Sequence, residues 1–266
     1  MTIDFCLTSD SPFVEFIGAM GCGKSTIYKE LSRRSSDSDL RWLLTKGRFI
    51  EERYAQVVGC RHMRLFYLLT RLLFLRSVRL RFLKSELRAL GLSKLNDLNI
   101  EALINVALFQ RENYEGKAVH AAARLQYFFN TLYETSAIRA LIDRDNEVVV
   151  LDEGIMQRCL SLLFRLKDCD GFVENYCKSV VNPPLLLIHV ETDRGLAMKR
   201  LEKRKVDRDV HIELFDVAVE MSRKIVQHMH ARGVEILRLD GASDPVLNAD
   251  SCVDKIRGVA KKLHRK

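Results

Sequence analysis

The sequence predicts an α/β domain of three layers, a central parallel sheet between helices, with an enlarged and mostly helical insert at about residues 37–145. Three observations predict it. Phe13 to Ile17 is a short apolar run closed by Gly18, then a glycine-rich turn, then a helical pattern from about Lys24. Glu147 to Leu151 (EVVVL) and Leu185 to Val190 (LLLIHV) are unbroken runs of β-branched residues and leucine, as in strands buried on both faces. Helical patterns fill the intervals, and alternating strand and helix give a parallel sheet with right-handed crossovers.

Each element follows from local residues. The span from Asp37 to Asp145 holds Gly47, Gly59, Gly91 and Gly116 and no proline, and Ala118 to Ile142 has helical periodicity. Pro183-Pro184 marks the entry to a strand, Arg194 to Lys205 and Ile212 to Arg232 are the clearest later helices, and Val234 to Leu239 is the last strand. There are no internal repeats. With 266 residues and 47% hydrophobic content, the chain is expected to form one domain over 1–266.

Composition narrows the class further. Seven cysteines (Cys6, Cys22, Cys60, Cys159, Cys169, Cys177, Cys252) form no C-x-x-C pair, so neither a disulfide framework nor a zinc site is expected, and reduced thiols in a cytoplasm are. Met1 to Ser11 carries Asp4 and Asp10 and lacks the basic start and apolar core of a signal peptide. The net charge is +8, but Arg61 to Arg88 alone holds eight basic residues and one acid, +7, and the remainder is nearly neutral. That confinement argues against nucleic acid as a partner.

Gly18-Ala19-Met20-Gly21-Cys22-Gly23-Lys24-Ser25 fits G-x-x-x-x-G-K-[ST] between an apolar strand and a helix, the setting in which the motif cradles phosphates. Glycines let backbone N–H groups close on phosphate oxygens, the helix N-terminus adds its dipole, Lys24 reaches the β- and γ-phosphates, and Ser25 holds Mg²⁺. The expected cofactors are ATP and Mg²⁺. The fold class is therefore that of a P-loop NTPase.

Asp152-Glu153-Gly154 stands at the carboxyl end of a buried strand, where ligands bind in open α/β sheets. One acid can polarise Mg²⁺ through water, with Asp152 the expected metal residue, and the other can take a hydroxyl proton. The residues leave open which does which. Capping of the next helix is a second role open to both. Arg158, a helical turn on, is placed to bind an anionic substrate. The run from Lys199 to Asp209 concentrates charge where a mobile lid would cover phosphates, with Arg200, Arg204 and Arg208 at i, i+4 and i+8.

These residues resemble the deoxynucleoside kinases and thymidylate kinases of the P-loop class, over roughly residues 13–34 and 147–245. Gly18 to Thr26 is similar to their phosphate loop, Asp152-Glu153-Gly154 looks like their acidic motif, and Arg200 to Asp209 looks like their lid. Asp240 to Pro245 resembles their turn beside the adenine, which implies Asp240 and Ser243 at the ATP site. The resemblance implies a five-stranded parallel sheet, lid closure over ATP and Mg²⁺, and transfer to a hydroxyl or phosphate. The chain departs from the family's acid-arginine pair, having Asp-Glu-Gly with Arg158 displaced, and its residues 40–145 match no motif of theirs.

In that helical region Gln110 and Arg124 are the candidate acceptor-binding residues. Leu65 to Leu69 and Leu72 to Leu75, punctuated by Arg64, Arg71, Arg76, Arg79 and Arg81, cannot cross a bilayer, where a central arginine costs about 3 kcal/mol. Three readings of 61–88 stay open: internal packing or a homodimer interface, a peripheral contact with the inner face of a membrane or a lipid-linked acceptor site, and nucleic-acid binding. At about 100° per residue its arginines change sides near Ser77, which predicts a break there. His189 is expected to be a satisfied core histidine. The expected activity is ATP-dependent phosphoryl transfer to a small acceptor, a nucleoside or nucleotide ahead of a sugar or other alcohol. The alternative is a regulatory NTPase acting at a membrane surface or on a protein partner.

Overall fold

The computed structural model describes residues 12–35, 37–53, 68, 76–95, 97–143, 146–179, 183–203 and 208–263. Five strands form one parallel sheet: β1 (Phe13–Ile17), β2 (Leu43–Thr45), β3 (Val148–Leu151), β4 (Leu186–Glu191) and β5 (Glu235–Asp240), in the order β2-β3-β1-β4-β5. The described helices are α1 (Lys24–Arg34), α2 (Lys46–Glu52), α3 (Arg76–Leu92), α4 (Asp97–Asn113), α5 (Ala118–Leu141), α6 (Ile155–Leu162), α7 (Cys169–Ser179), α8 (Arg194–Glu202), α9 (Arg208–Ala231) and α10 (Pro245–Leu263).

Alternation along the strands divides the core. Val14 and Phe16 of β1 face Ile27 and Leu31 of α1 and Cys252 and Ile256 of α10. Ile17 and Leu187 face the other side, where Met156, Phe172, Tyr176, Ile225 and Met229 of α6, α7 and α9 cover the sheet. A third cluster joins Leu44, Val149 and Leu151 to Phe49, Leu83, Leu87 and Ile138, seating α2, α3 and α5 at the β2 edge. Gly91 lets α3 approach α5, since a Cβ there would meet the Tyr133 carbonyl oxygen at 1.8 Å.

Two details differ from the sequence expectation. The described residues of 37–145 lie mostly in helices, but they also supply β2, an edge strand of three residues whose Leu43, Leu44 and Thr45 pair with Val148, Val149 and Val150. Such a run is too short for periodicity to register. The second detail is that α9 already includes Arg208, four residues before the expected Ile212. Arg76 and Ser77 lie on α3, and of the stretch 61–88 residues 61–67 and 69–75 lie outside the described residues. Among the described residues no helix is long and apolar enough to cross a membrane.

Candidate active site

Sheet order reverses around β1, with β2 and β3 on one side and β4 and β5 on the other, so a crevice opens at the carboxyl ends of β1, β3 and β4. Gly18 to Gly23 fills the head of that crevice and runs into α1 at Lys24. Gly18 has φ 152° and packs so close to β4 that a Cβ would lie 2.3 Å from the Val190 carbonyl oxygen. Gly21 and Gly23 also have positive φ, 79° and 105°. The loop therefore requires glycine where the motif has it. Lys24 Nζ donates to the carbonyls of Gly18 at 2.6 Å and Ala19 at 2.9 Å, and Cys22 Sγ lies 3.5 Å away. Ser25 and Thr26 stand exposed in the first turn of α1.

Two neighbours brace the loop. Arg200 of α8 donates to Gly21 O at 3.3 Å and Gly241 O at 2.9 Å, tying the phosphate loop to the turn after β5. In that turn Asp240 Oδ1 accepts from Ala242 N at 2.8 Å and Asp240 Oδ2 from Ser243 Oγ at 3.5 Å, while Gly241 N donates to Glu191 O at 2.6 Å. Of the expected lid arginines, Arg200 thus contacts loop backbone. Arg208 contributes its backbone to α9, and Arg204 lies outside the described residues.

After β3 the two acids diverge. Asp152 lies 3.9 Å from Lys46 Nζ, the first residue after β2, and its charge adds to burial in pushing the Tyr28 hydroxyl of α1 to a higher pKa. Asp152 therefore faces α1, whose first turn carries Ser25. Glu153 turns the other way: Arg158 Nη2 donates to it at 2.5 Å, and Arg158 Nε donates to Thr131 Oγ1 at 3.1 Å. Lys46 also pairs at 3.3 Å with Glu134, a buried acid that accepts from Arg88 Nε at 2.7 Å.

A cavity of about 300 Å³ opens against the loop, lined by Gly18, Ala19 and Met20, by Glu153, Gln157 and Arg158, and by an apolar wall that includes Leu160, Leu163, Phe164 and Phe215. Arg124 lines it too, stacked 3.7 Å over the Phe164 ring and donating to Phe164 O at 2.9 Å. Gln110 does not line it. That residue is 1% exposed and donates Nε2 to Leu162 O at 2.6 Å, tying α4 to the end of α6.

Sequence reasoning missed Gln157, whose Oε1 accepts from Gly18 N at 3.1 Å, and Lys46, hidden with the short β2. It also missed Glu15, an acid inside the apolar FVEFI strand that was itself the available signal. His189 is fully buried, with Nε2 3.1 Å from Ser222 Oγ, and burial lowers its pKa to about 4, so it is neutral at pH 7.

The order β2-β3-β1-β4-β5 behind a glycine-rich loop decides the architecture. The fold matches that of a deoxynucleoside kinase of the P-loop class. A solved structure of deoxyadenosine kinase from M. mycoides, with products dCMP and a flexible dCDP bound, superposes with a TM-score of 0.50 at 12% identity, over 92% of this chain and 99% of that one. No protein-family model and no curated protein matches the chain. The likeness is thus one of fold.

Proposed function

We propose that this protein is an ATP- and Mg²⁺-dependent phosphotransferase whose acceptor is a small molecule, a nucleoside or nucleotide ahead of a sugar or other alcohol. The observation that carries the reading is the cavity. Gly18 to Met20 line it together with Glu153 and Arg158, so an acceptor lying in it would meet both the phosphate loop and these side chains. The fold shared with deoxyadenosine kinase supports the same reading.

The residues fit the nucleotide. Three positive-φ glycines and the N-terminus of α1 form a cradle for phosphate oxygens, with Lys24 at its floor. Among the described residues no group of three or more His, Cys, Asp or Glu forms a metal cage. Mg²⁺ in phosphoryl transfer needs none, because it takes one or two protein ligands and completes its shell with phosphates and water. Ser25 and Asp152 would hold it, and it would neutralise charge on the transferring group.

The divergence of the two acids supports a division of roles between them. Asp152, facing α1, serves the metal. Glu153, lining the cavity, accepts the proton of the acceptor hydroxyl, and Arg158 holds Glu153 in place while adding positive charge beside the acceptor. Arg200 fixes the loop against the turn at Asp240 to Ser243, and Arg124, stacked on Phe164, lines the cavity with its charge.

The test is ADP release from Mg²⁺-ATP against nucleosides, nucleotides, sugars and lipid-linked alcohols, with Lys24→Ala as the blank. Stimulation by one class, lost in the blank, is the expected result. Turnover indifferent to every acceptor would instead favour a regulatory NTPase.

A further inference from the structure

We propose that Glu15 is a positioning residue of this site: its buried carboxylate, locked against Gly154, caps α6 and sets where Asp152, Glu153, Gln157 and Arg158 stand. The proposal rests on the phosphotransferase reading for the word "site" and on geometry for the rest.

Glu15 is the middle residue of β1 and is 3% exposed. It shares a sheet face with Phe13 and Ile17, both apolar, and it pairs in register with Leu151, the residue before Asp152. A carboxylate is costly to bury there unless its oxygens are satisfied. Its Oε2 accepts from Met156 N at 2.9 Å, and the Ile155 N–H also bonds the carboxylate. These amides belong to the first turn of α6, where N–H groups lack helical partners and the dipole favours an anion. Tyr176 of α7 donates its hydroxyl to Ile155 O at 2.7 Å, so the opening residue of α6 is held from both sides.

Gly154 completes the lock. A Cβ on it would sit 2.1 Å from the Glu15 carboxyl carbon and 2.3 Å from Oε2. Its backbone is extended (φ −89°, ψ −166°), open to any residue, so what demands glycine is the space Glu15 occupies. The Asp-Glu-Gly form of the acidic motif follows: the third position is glycine because an acid from the neighbouring strand fills it. Glu153 lies just before this joint and Gln157 and Arg158 in the first turn after it, so their placement depends on the cap.

The groups facing Glu15 are Arg139 of α5 and Lys46 of α2, which favour its charge, and Tyr176 of α7, whose own ionisation it opposes. Burial outweighs these and raises the carboxyl to about 7, so the cap changes charge near neutrality.

The experiment uses full-length Glu15→Gln, Glu15→Ala, Gly154→Ala and the double variant Glu15→Ala/Gly154→Ala. Expected is that Gly154→Ala destabilises the wild-type background and costs little in the Glu15→Ala background, read by denaturation and by amide exchange across 155–158. Glu15→Gln, which keeps the shape, should lower kcat about 10-fold or more with KM for ATP unchanged and erase a limb of the kcat profile near pH 7. Equal cost of Gly154→Ala in both backgrounds overturns the lock, and a wild-type kcat profile in Glu15→Gln overturns the positioning role. Should the wild type turn over no acceptor, the phosphotransferase reading fails, while the Gly154→Ala cycle and the exchange data still decide the lock.

Discussion

Gly18 donates its backbone N–H to Gln157 Oε1 at 3.1 Å, so the first residue of the phosphate loop hangs from the helix that follows the acidic motif. The bond couples the phosphate loop to the cavity wall. Leucine at 157 leaves that part-buried N–H without its acceptor, at about 1–3 kcal/mol. Gln157→Leu should therefore lower kcat/KM for ATP roughly 10-fold or more, at about 1.4 kcal/mol per tenfold. Steady-state kinetics check this, and Gln157→Glu, which keeps an acceptor oxygen, should recover much of the loss. Equal effects of both substitutions would break the link.

The opposite orientations of Asp152 and Glu153 give a second expectation. Asp152→Asn should raise the Mg²⁺ concentration needed for half-maximal turnover and leave the acceptor KM near wild type. Glu153→Gln should lower kcat by about 10² to 10⁴, the usual range for a general base, with little change in Mg²⁺ demand. A Mg²⁺ titration of each variant separates them, and parallel, small effects would refute the division of labour.

How far the sequence reached is visible in particular residues. The loop, the acids and four of the five strands were legible because each lies in a continuous apolar run or a spaced motif, where local chemistry dictates structure. Strand β2 was not: Leu43 to Thr45 is three residues, and the pairing with Val148 to Val150 that makes it a strand comes from 105 positions away in the chain, the separation of Leu43 and Val148. Lys46, placed by that strand, was lost with it. Gln110 illustrates a different limit, for a polar residue on a helix before the acidic motif reads as a ligand contact, whereas in the structure its Nε2 donates to the Leu162 carbonyl inside the core. Partners of this kind depend on helix packing, which a pattern in one chain does not encode.

Arg200 bridges Gly21 O and Gly241 O with one planar guanidinium, two acceptors that an ammonium spans poorly. Arg200→Lys should therefore behave much like Arg200→Ala, raising KM for ATP several-fold by loosening the loop from the turn after β5. Hydrogen exchange across 18–25 should rise in both variants. A lysine variant with wild-type KM and exchange would show that charge at this position matters more than the bridge.

The buried Glu15 carboxyl predicts the pH dependence of stability. Burial raises it from 4.5 to about 7, against the opposing pull of the Met156 and Ile155 amides, Arg139 and Lys46. A folded-state pKa above the unfolded one means that its contribution to stability is fully present below about pH 4.5 and is lost as pH rises through about 7. The loss amounts to about 3 kcal/mol, at 1.36 kcal/mol for each tenfold change in proton affinity. Glutamine at 15 does not titrate, so Glu15→Gln should gain on the wild type by roughly that amount between pH 4.5 and 7.5 and stay level above. His189, lowered to about 4, acts in the opposite sense between pH 4 and 6.5, but it is present in both proteins and drops out of the difference. Urea denaturation of the pair at four pH values measures it. A gap that stays constant with pH would mean that Glu15 titrates as an ordinary carboxyl, and the cap on α6 would then be anionic throughout the working range.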